Sequence, residues 1–118
     1  MKRHKVVPLQ SMQIDFLDKT LLFSFDMQAI TKLQEHFDSL EKVAQNENKF
    51  EMAAMFLWAG IKDDSVTLDE AKVMITSNAE VLSDTLLITF DNISKLGGEE
   101  TSKKLQEEIE KLKKQGLI

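Results

Sequence analysis

The sequence predicts an α+β fold that is mostly α-helical, with an N-terminal β-hairpin packed on a bundle of four to five helices. Near the N-terminus, two short runs alternate apolar and polar residues, which is the period of a half-buried strand. Several later segments repeat apolar residues at the spacing of an amphipathic helix. Between these helical segments lies one that is apolar on nearly every side, which predicts a buried central helix.

Length and composition indicate one globular domain. The chain has 118 residues, of which 42% are hydrophobic and 30% are charged. No apolar run approaches the roughly 20 residues needed to cross a bilayer, and the first residues lack the apolar segment of a secretory signal. We therefore expect a cytoplasmic protein with no membrane partner. The chain has no Cys, which excludes thiol chemistry.

The charge distribution argues against nucleic-acid binding. Lys2, Arg3 and Lys5 make the extreme N-terminus basic, while the net charge of the chain is −5. The segment from Glu99 to Lys114 contains five Glu and five Lys, so the body between the two ends is acidic. Binding to a phosphate backbone requires a basic face, and we expect no nucleic-acid partner.

The domain organisation follows from these patterns. We expect residues 1–11 to form a flexible basic leader, residues 12–98 the single globular domain, and residues 99–118 a charged C-terminal helix or tail. In the hairpin, a polar break at residues 17–19 separates two alternating runs, whose apolar residues are Met12, Ile14 and Phe16 in the first and Leu21, Phe23 and Phe25 in the second. Asp26 then follows as a good N-cap for a helix.

One amphipathic helix is predicted from Met27 to Ala44. The apolar positions recur at helical spacing and are Met27, Ile30, Leu33, Phe37, Leu40, Val43 and Ala44. The polar residues 45–48 break the pattern and connect this helix to the central one.

The central unit is a buried helix followed by a capped second helix. We expect the helix from Phe50 to Ile61 to be buried throughout, with Trp58 as a core anchor. Gly60 is suited to a left-handed cap that ends it. Thr67 to Glu70 has the form of a capping box. The apolar residues of the second helix, which should pack back on the first, are Leu68, Ala71, Val73, Met74 and Ile75.

The last part of the chain contains a long helix and a charged segment. Residues 76–78 form a polar break, after which apolar spacing from Val81 to Leu96 predicts a helix that ends at Gly97-Gly98. Beyond it, Leu105, Ile109 and Leu112 form a thin apolar stripe. Four Glu/Lys pairs at i,i+4 spacing accompany the stripe, namely Glu99/Lys103, Glu100/Lys104, Glu107/Lys111 and Glu110/Lys114. The segment is predicted to be an exposed helix or a mobile tail, and the alternative is the seam of a homo-oligomer.

The sequence shows no catalytic constellation, so we expect no enzyme, cofactor or metal site. His4 lies in the leader and His36 on an amphipathic helix, where a solvated or structural role is the simpler interpretation. The acidic residues around Asp63 and Asp69 lack the alternating ligands and the turn glycine of a calcium loop. No glycine-rich loop has the pattern that binds phosphate.

The order of features resembles that of the tail assembly chaperones of long-tailed bacteriophages and prophages. The residues that carry the resemblance lie between Met12 and Leu96. They are the strand end Leu22 to Asp26, the helical run Ala29 to Glu35, the run Met55 to Ile61 with its Leu-Trp-Ala-Gly core, and the run Val66 to Ala71. The charged segment after Gly98 has no part in it.

The resemblance implies a role in virion assembly. It implies that the protein binds the tape measure protein in the host cytoplasm, keeps it soluble while the tail is built, and contacts the tail tube protein as a second partner. Exposed apolar stripes on a tape measure protein would otherwise aggregate. Methionines suit surfaces that adapt to varied partners, and the candidate contacts are Met27, Ile30 and Met74. The alternative for each methionine is ordinary core packing, because apolar positions at helical spacing are usually core. The alternative is a small helical adaptor or regulatory interaction module without a phage role.

Overall fold

The structure is a computed structural model that describes residues 2–4 and 6–116, and for residues 97–106, 108 and 109 it describes the backbone alone. The fold is α+β and mostly α, with 61% of residues helical, which confirms the predicted class. Its elements, in chain order, are β1 (Met12–Phe16), β2 (Lys19–Phe23), α1 (Met27–Phe37), α2 (Leu40–Ala44), α3 (Lys49–Gly60), α4 (Leu68–Ser77) and α5 (Ala79–Lys114).

The hairpin forms where the alternating runs predict it. β1 and β2 pair antiparallel, with Ile14 opposite Leu21, and both side chains are buried. The two-residue turn places Leu17 at a φ of 57° with its side chain exposed to solvent. Although β2 ends before Phe25, that ring is fully buried, so the inward face predicted from the sequence continues past the strand.

A short bridge joins the hairpin to the end of α3. Phe23 pairs with Ile61, and the Ser24 N–H donates to the Gly60 carbonyl at 3.2 Å. The predicted left-handed cap at Gly60 is wrong, because α3 ends there with Ile61 in an extended conformation (φ −69°, ψ 130°). A Cβ at Gly60 would lie 2.4 Å from Phe23 Cε1, so the glycine serves the close approach of α3 to β2.

The predicted single helix from Met27 to Ala44 is divided into α1 and α2. Asp38 adopts a positive φ of 78°, and Ser39 then caps α2 by accepting a hydrogen bond from the Lys42 N–H at 3.1 Å. A side-chain oxygen that accepts a hydrogen bond from a backbone N–H competes with continuation of the helix, which explains the break.

α3 is the centre of the molecule and packs against α1, α2, α4 and α5. Phe56 is fully buried between the rings of Phe25 and Phe90, at centroid distances of 5.5 and 5.8 Å. The expectation that the helix is buried throughout is wrong at Phe50, in the first turn, which is 49% exposed. Met55 and Trp58 are half-buried at the edge of the core.

The capping box of α4 is present as predicted. The Glu70 N–H donates to Thr67 Oγ1 and the Thr67 N–H donates to Glu70 Oε1, both at 3.1 Å. Ala71 and its neighbours on that face are buried against α3 as expected, but Val73 points outward and is 50% exposed.

α5 begins directly after the predicted polar break and extends further than predicted. Asn78 Oδ1 accepts from the Glu80 N–H at 2.9 Å. The predicted end at Gly97-Gly98 is wrong, because the helix continues to Lys114. Two helical glycines cost about 2 kcal/mol together relative to alanine, which the Glu-, Lys- and Leu-rich residues that follow can offset.

The charged segment is part of α5, and Leu112 within it is fully buried and belongs to the hydrophobic core. Leu105, Ile109 and the pairs Glu99/Lys103 and Glu100/Lys104 lie outside the described side chains, as does Lys5 of the leader. Across the described part of the chain, no helix has both the length and the apolar character required to span a bilayer.

Candidate interaction surface

The outward face of α1 presents an apolar side chain beside a shallow groove. Ala29 and Leu33 face the core, which leaves Gln28, Thr31 and Glu35 on the solvent side. This groove, called the α1 groove, has a volume of about 320 Å³ and is lined by Met27, Gln28, Thr31, Lys32 and Glu35. Met27 is 60% exposed at its end.

The start of α1 is fixed by Asp26. Its Oδ1 atom accepts from the Ala29 N–H at 3.0 Å and from Lys62 Nζ at 2.9 Å. Burial alone would raise the pKa of Asp26, but the hydrogen bonds from Lys62 and Ala29 outweigh it and hold the pKa below its usual value. The cap therefore ties the first turn of α1, with Met27, to the loop between α3 and α4.

A second cleft continues from the α1 groove toward the end of α3. This α1/α3 cleft has a volume of about 350 Å³ and is lined by Gln28, Lys32, Ala59, Ile61, Lys62 and Asp64. Gln28 and Lys32 line both depressions, so the two form one surface. The lining of the cleft is more polar than that of the groove, because it includes two Lys and one Asp.

An aromatic cluster forms the edge of this surface. The Trp58 ring makes edge contacts with His36 and Phe37, at centroid distances of 4.8 and 5.6 Å. Lys32 Nζ lies 4.1 Å from the Trp58 ring centroid and donates to the Trp58 carbonyl at 3.3 Å. Lys32 thereby satisfies a carbonyl in the last turn of α3 and gains a cation–π contact. Trp58 is therefore a boundary residue of the core.

The three predicted contact residues differ in exposure. Met27 is exposed, and Ile30, one turn further along α1, is half-buried against the core. Met74 on α4 is only 4% exposed, so it adds nothing to the surface around Met27. The structure thus brings Met27 and Ile30 together on α1 and places Met74 in the core.

Two side chains weighed as catalytic or metal-binding candidates, His36 and Asp63, form hydrogen bonds with residues close in sequence. His36 is exposed, and its Nδ1 lies 3.0 Å from the Lys32 carbonyl of its own helix. Asp63 accepts from the Ser65 hydroxyl and N–H, and these hydrogen bonds lower the pKa of the Asp63 carboxyl. Among the side chains that the structure describes, no three from His, Cys, Asp or Glu are arranged to hold a metal ion.

Two features were not predicted from the sequence. Phe50 lines a cleft of about 210 Å³ with Asn48, Glu51, Lys72 and Thr76. The sequence signal for the exposure of Phe50 was its position two residues after the cap Asn48, because a first-turn side chain can extend past the neighbouring helices.

The second feature is Asn92, which is fully buried on α5 and binds the backbone of Gln10. No local pattern marks this pair, since the partners are 82 residues apart.

Comparisons of the chain with protein family models, with curated proteins and with solved structures find no match.

Proposed function

We propose that this protein is a phage tail assembly chaperone that binds helical segments of the tape measure protein through the α1 groove. The resemblance of the sequence to that class supports the proposal. The structural observation behind it is Met27, a large apolar side chain that is 60% exposed at the end of a groove.

The groove suits a helix that presents a narrow apolar stripe. An amphipathic helix docks by placing apolar side chains spaced three and four residues apart into such a depression. Met27 is unbranched and can adapt to different side chains along a long partner. Ile30 lies one turn away and extends the apolar contact toward the core.

Binding at this surface should depend on apolar burial more than on charge. The two lysines beside the groove are already engaged, Lys62 with Asp26 and Lys32 with Trp58. Association should therefore survive raised salt, which weakens contacts between exposed charges. We include in the same proposal that the protein contacts the tail tube protein and that several copies of it assemble.

The test is co-expression with a fragment of the adjacent long helical reading frame, followed by pull-down at low and high salt. We expect the fragment to be soluble only with this protein and to be retained at both salt concentrations. Met27→Glu should weaken retention at least tenfold, which corresponds to about 1.4 kcal/mol. Val73→Glu is the matched control, because Val73 is 50% exposed on α4, which contributes no residue to the lining of the groove or of the α1/α3 cleft.

Two results would count against the proposal. A fragment that is equally soluble with and without this protein, and retained at neither salt concentration, would exclude the chaperone and favour the adaptor. Equal retention by Met27→Glu and the unmodified protein, with loss in Val73→Glu, would remove the α1 groove as the binding surface.

A further inference from the structure

The residues before β1 are held against α5 by a fully buried side chain. Asn92 Oδ1 accepts from the Gln10 N–H at 2.9 Å, and Asn92 Nδ2 donates to the Gln10 carbonyl at 2.9 Å. The Ser24 hydroxyl donates to the same carbonyl at 2.9 Å, and Lys95 Nζ donates to the Pro8 carbonyl at 3.4 Å. These bonds connect the N-terminal segment, the end of the hairpin and α5.

Asn92 forms hydrogen bonds with the backbone of this segment and not with its side chains. The side chain of Gln10 is exposed, whereas its N–H and carbonyl both bond to one carboxamide. Further from the contact, Val6 is 87% exposed and Val7 is 49% exposed. The attachment of residues 6–11, here called the arm, is therefore concentrated at Gln10.

The same stripe of α5 carries two other buried polar side chains. Thr85 and Thr89 are fully buried one helical turn apart, and Thr89 precedes Asn92 by about one further turn. Neither threonine hydroxyl has a hydrogen-bond partner in the structure. A buried hydroxyl without a partner regains hydrogen bonds when water reaches it, so opening costs less here than along an apolar stripe.

We propose that the arm is a releasable strap that controls local opening of α5 from the rest of the fold. With Gln10 bound, the carboxamide of Asn92 is satisfied and α5 is held closed. With Gln10 released, water can supply hydrogen bonds to all three polar side chains of the stripe, Thr85, Thr89 and Asn92. α5 then opens while α3 stays folded. A partner that engages the arm would thereby change the exposure of α5, whichever segment the α1 groove binds.

The test is hydrogen exchange of backbone amides in two variants at one position. Gln10→Pro removes the N–H that Asn92 accepts, whereas Gln10→Ala keeps both backbone groups and changes only an exposed side chain. We expect Gln10→Pro to accelerate exchange at least tenfold in residues 82–94, with less than a threefold change in α3. Gln10→Ala should exchange like the unmodified chain.

Two further variants distinguish local opening of α5 from a general loss of stability. Asn92→Ala should reproduce the Gln10→Pro pattern, and adding Thr89→Val to Gln10→Pro should slow α5 exchange again, because the methyl group does not gain by hydration. Equal acceleration of α3 and α5 in Gln10→Pro would overturn the proposal, since the loss would then be global. So would indistinguishable α5 exchange in Gln10→Pro and Gln10→Ala.

Discussion

Replacing Gly60 with alanine should destabilise the fold through a contact with one ring. A Cβ at this position would lie 2.4 Å from Phe23 Cε1, 2.8 Å from Phe23 Cδ1 and 3.1 Å from the Ser24 carbonyl oxygen. The Phe23 ring is fully buried, so it cannot turn into solvent to make room. Relief requires α3 and β2 to separate, which strains the backbone hydrogen bond from Ser24 to Gly60.

The expected magnitude follows from two opposing terms. Overpacking a well-packed core costs typically about 1–3 kcal/mol. Alanine gains at most about 1 kcal/mol over glycine in a helix, and less at the last helical residue, which Gly60 occupies. We therefore expect Gly60→Ala to lower the free energy of unfolding by about 2 kcal/mol, with a fall of about 8 °C in the thermal midpoint.

Urea denaturation of a double-mutant cycle tests the cause of the loss. Valine at position 23 lacks both the Cδ1 and the Cε1 atom, so Gly60→Ala in a Phe23→Val background should cost under about 1 kcal/mol. The coupling free energy between the two sites should then be at least about 1 kcal/mol. A Gly60→Ala variant as stable as the unmodified protein, or purely additive effects in the cycle, would refute the steric reasoning.

Three other substitutions test specific contacts. Trp58→Ala should cost about 2 kcal/mol in denaturant titration, less than the roughly 3–5 kcal/mol of a fully buried tryptophan, and a cost above 4 would show that the ring belongs to the core. Thr89→Val should raise the free energy of unfolding by about 1 kcal/mol, because it replaces a buried hydroxyl without a partner, whereas a loss of stability would show that the hydroxyl is bonded. Asp26→Asn keeps the helix cap but loses the ion pair with Lys62, and should cost under about 1 kcal/mol at pH 7. Because the folded-state pKa of Asp26 is lowered below 3.8, this difference should be present above that value and should disappear as pH falls through the folded-state pKa. A difference that persists at pH 2 would assign the effect to another group.

Features set by neighbouring residues were predictable from the sequence. The alternation of apolar and polar residues on either side of residues 17–19 predicted the hairpin and its inward face. The four residues Thr67 to Glu70 were enough to predict both hydrogen bonds of the capping box. The near-continuous apolar character of α3 correctly predicted its central position, because a helix without a polar face must be covered.

Features that depend on distant or competing contacts were not predictable. The pair Gly97-Gly98 predicts the end of a helix, but whether two glycines end a helix depends on the stability of the turns on either side. At Asp38 a continuous helix competes with the cap that Ser39 provides for α2, and the helical spacing of the apolar residues does not show which of the two forms. In the interaction surface, Met27 and Met74 look alike in sequence, yet one is exposed and the other is core, because a methionine at helical spacing fits both environments.

The contact between Gln10 and Asn92 also sets a time order during synthesis. The two residues are 82 positions apart, so at 5–20 residues per second the carboxamide is made roughly 4–16 s after the backbone that it binds. Throughout that interval the backbone of Gln10 has no α5 to bind. The segment around Gln10, although made before the hairpin and the helices, is therefore among the last parts of the protein to reach its final position.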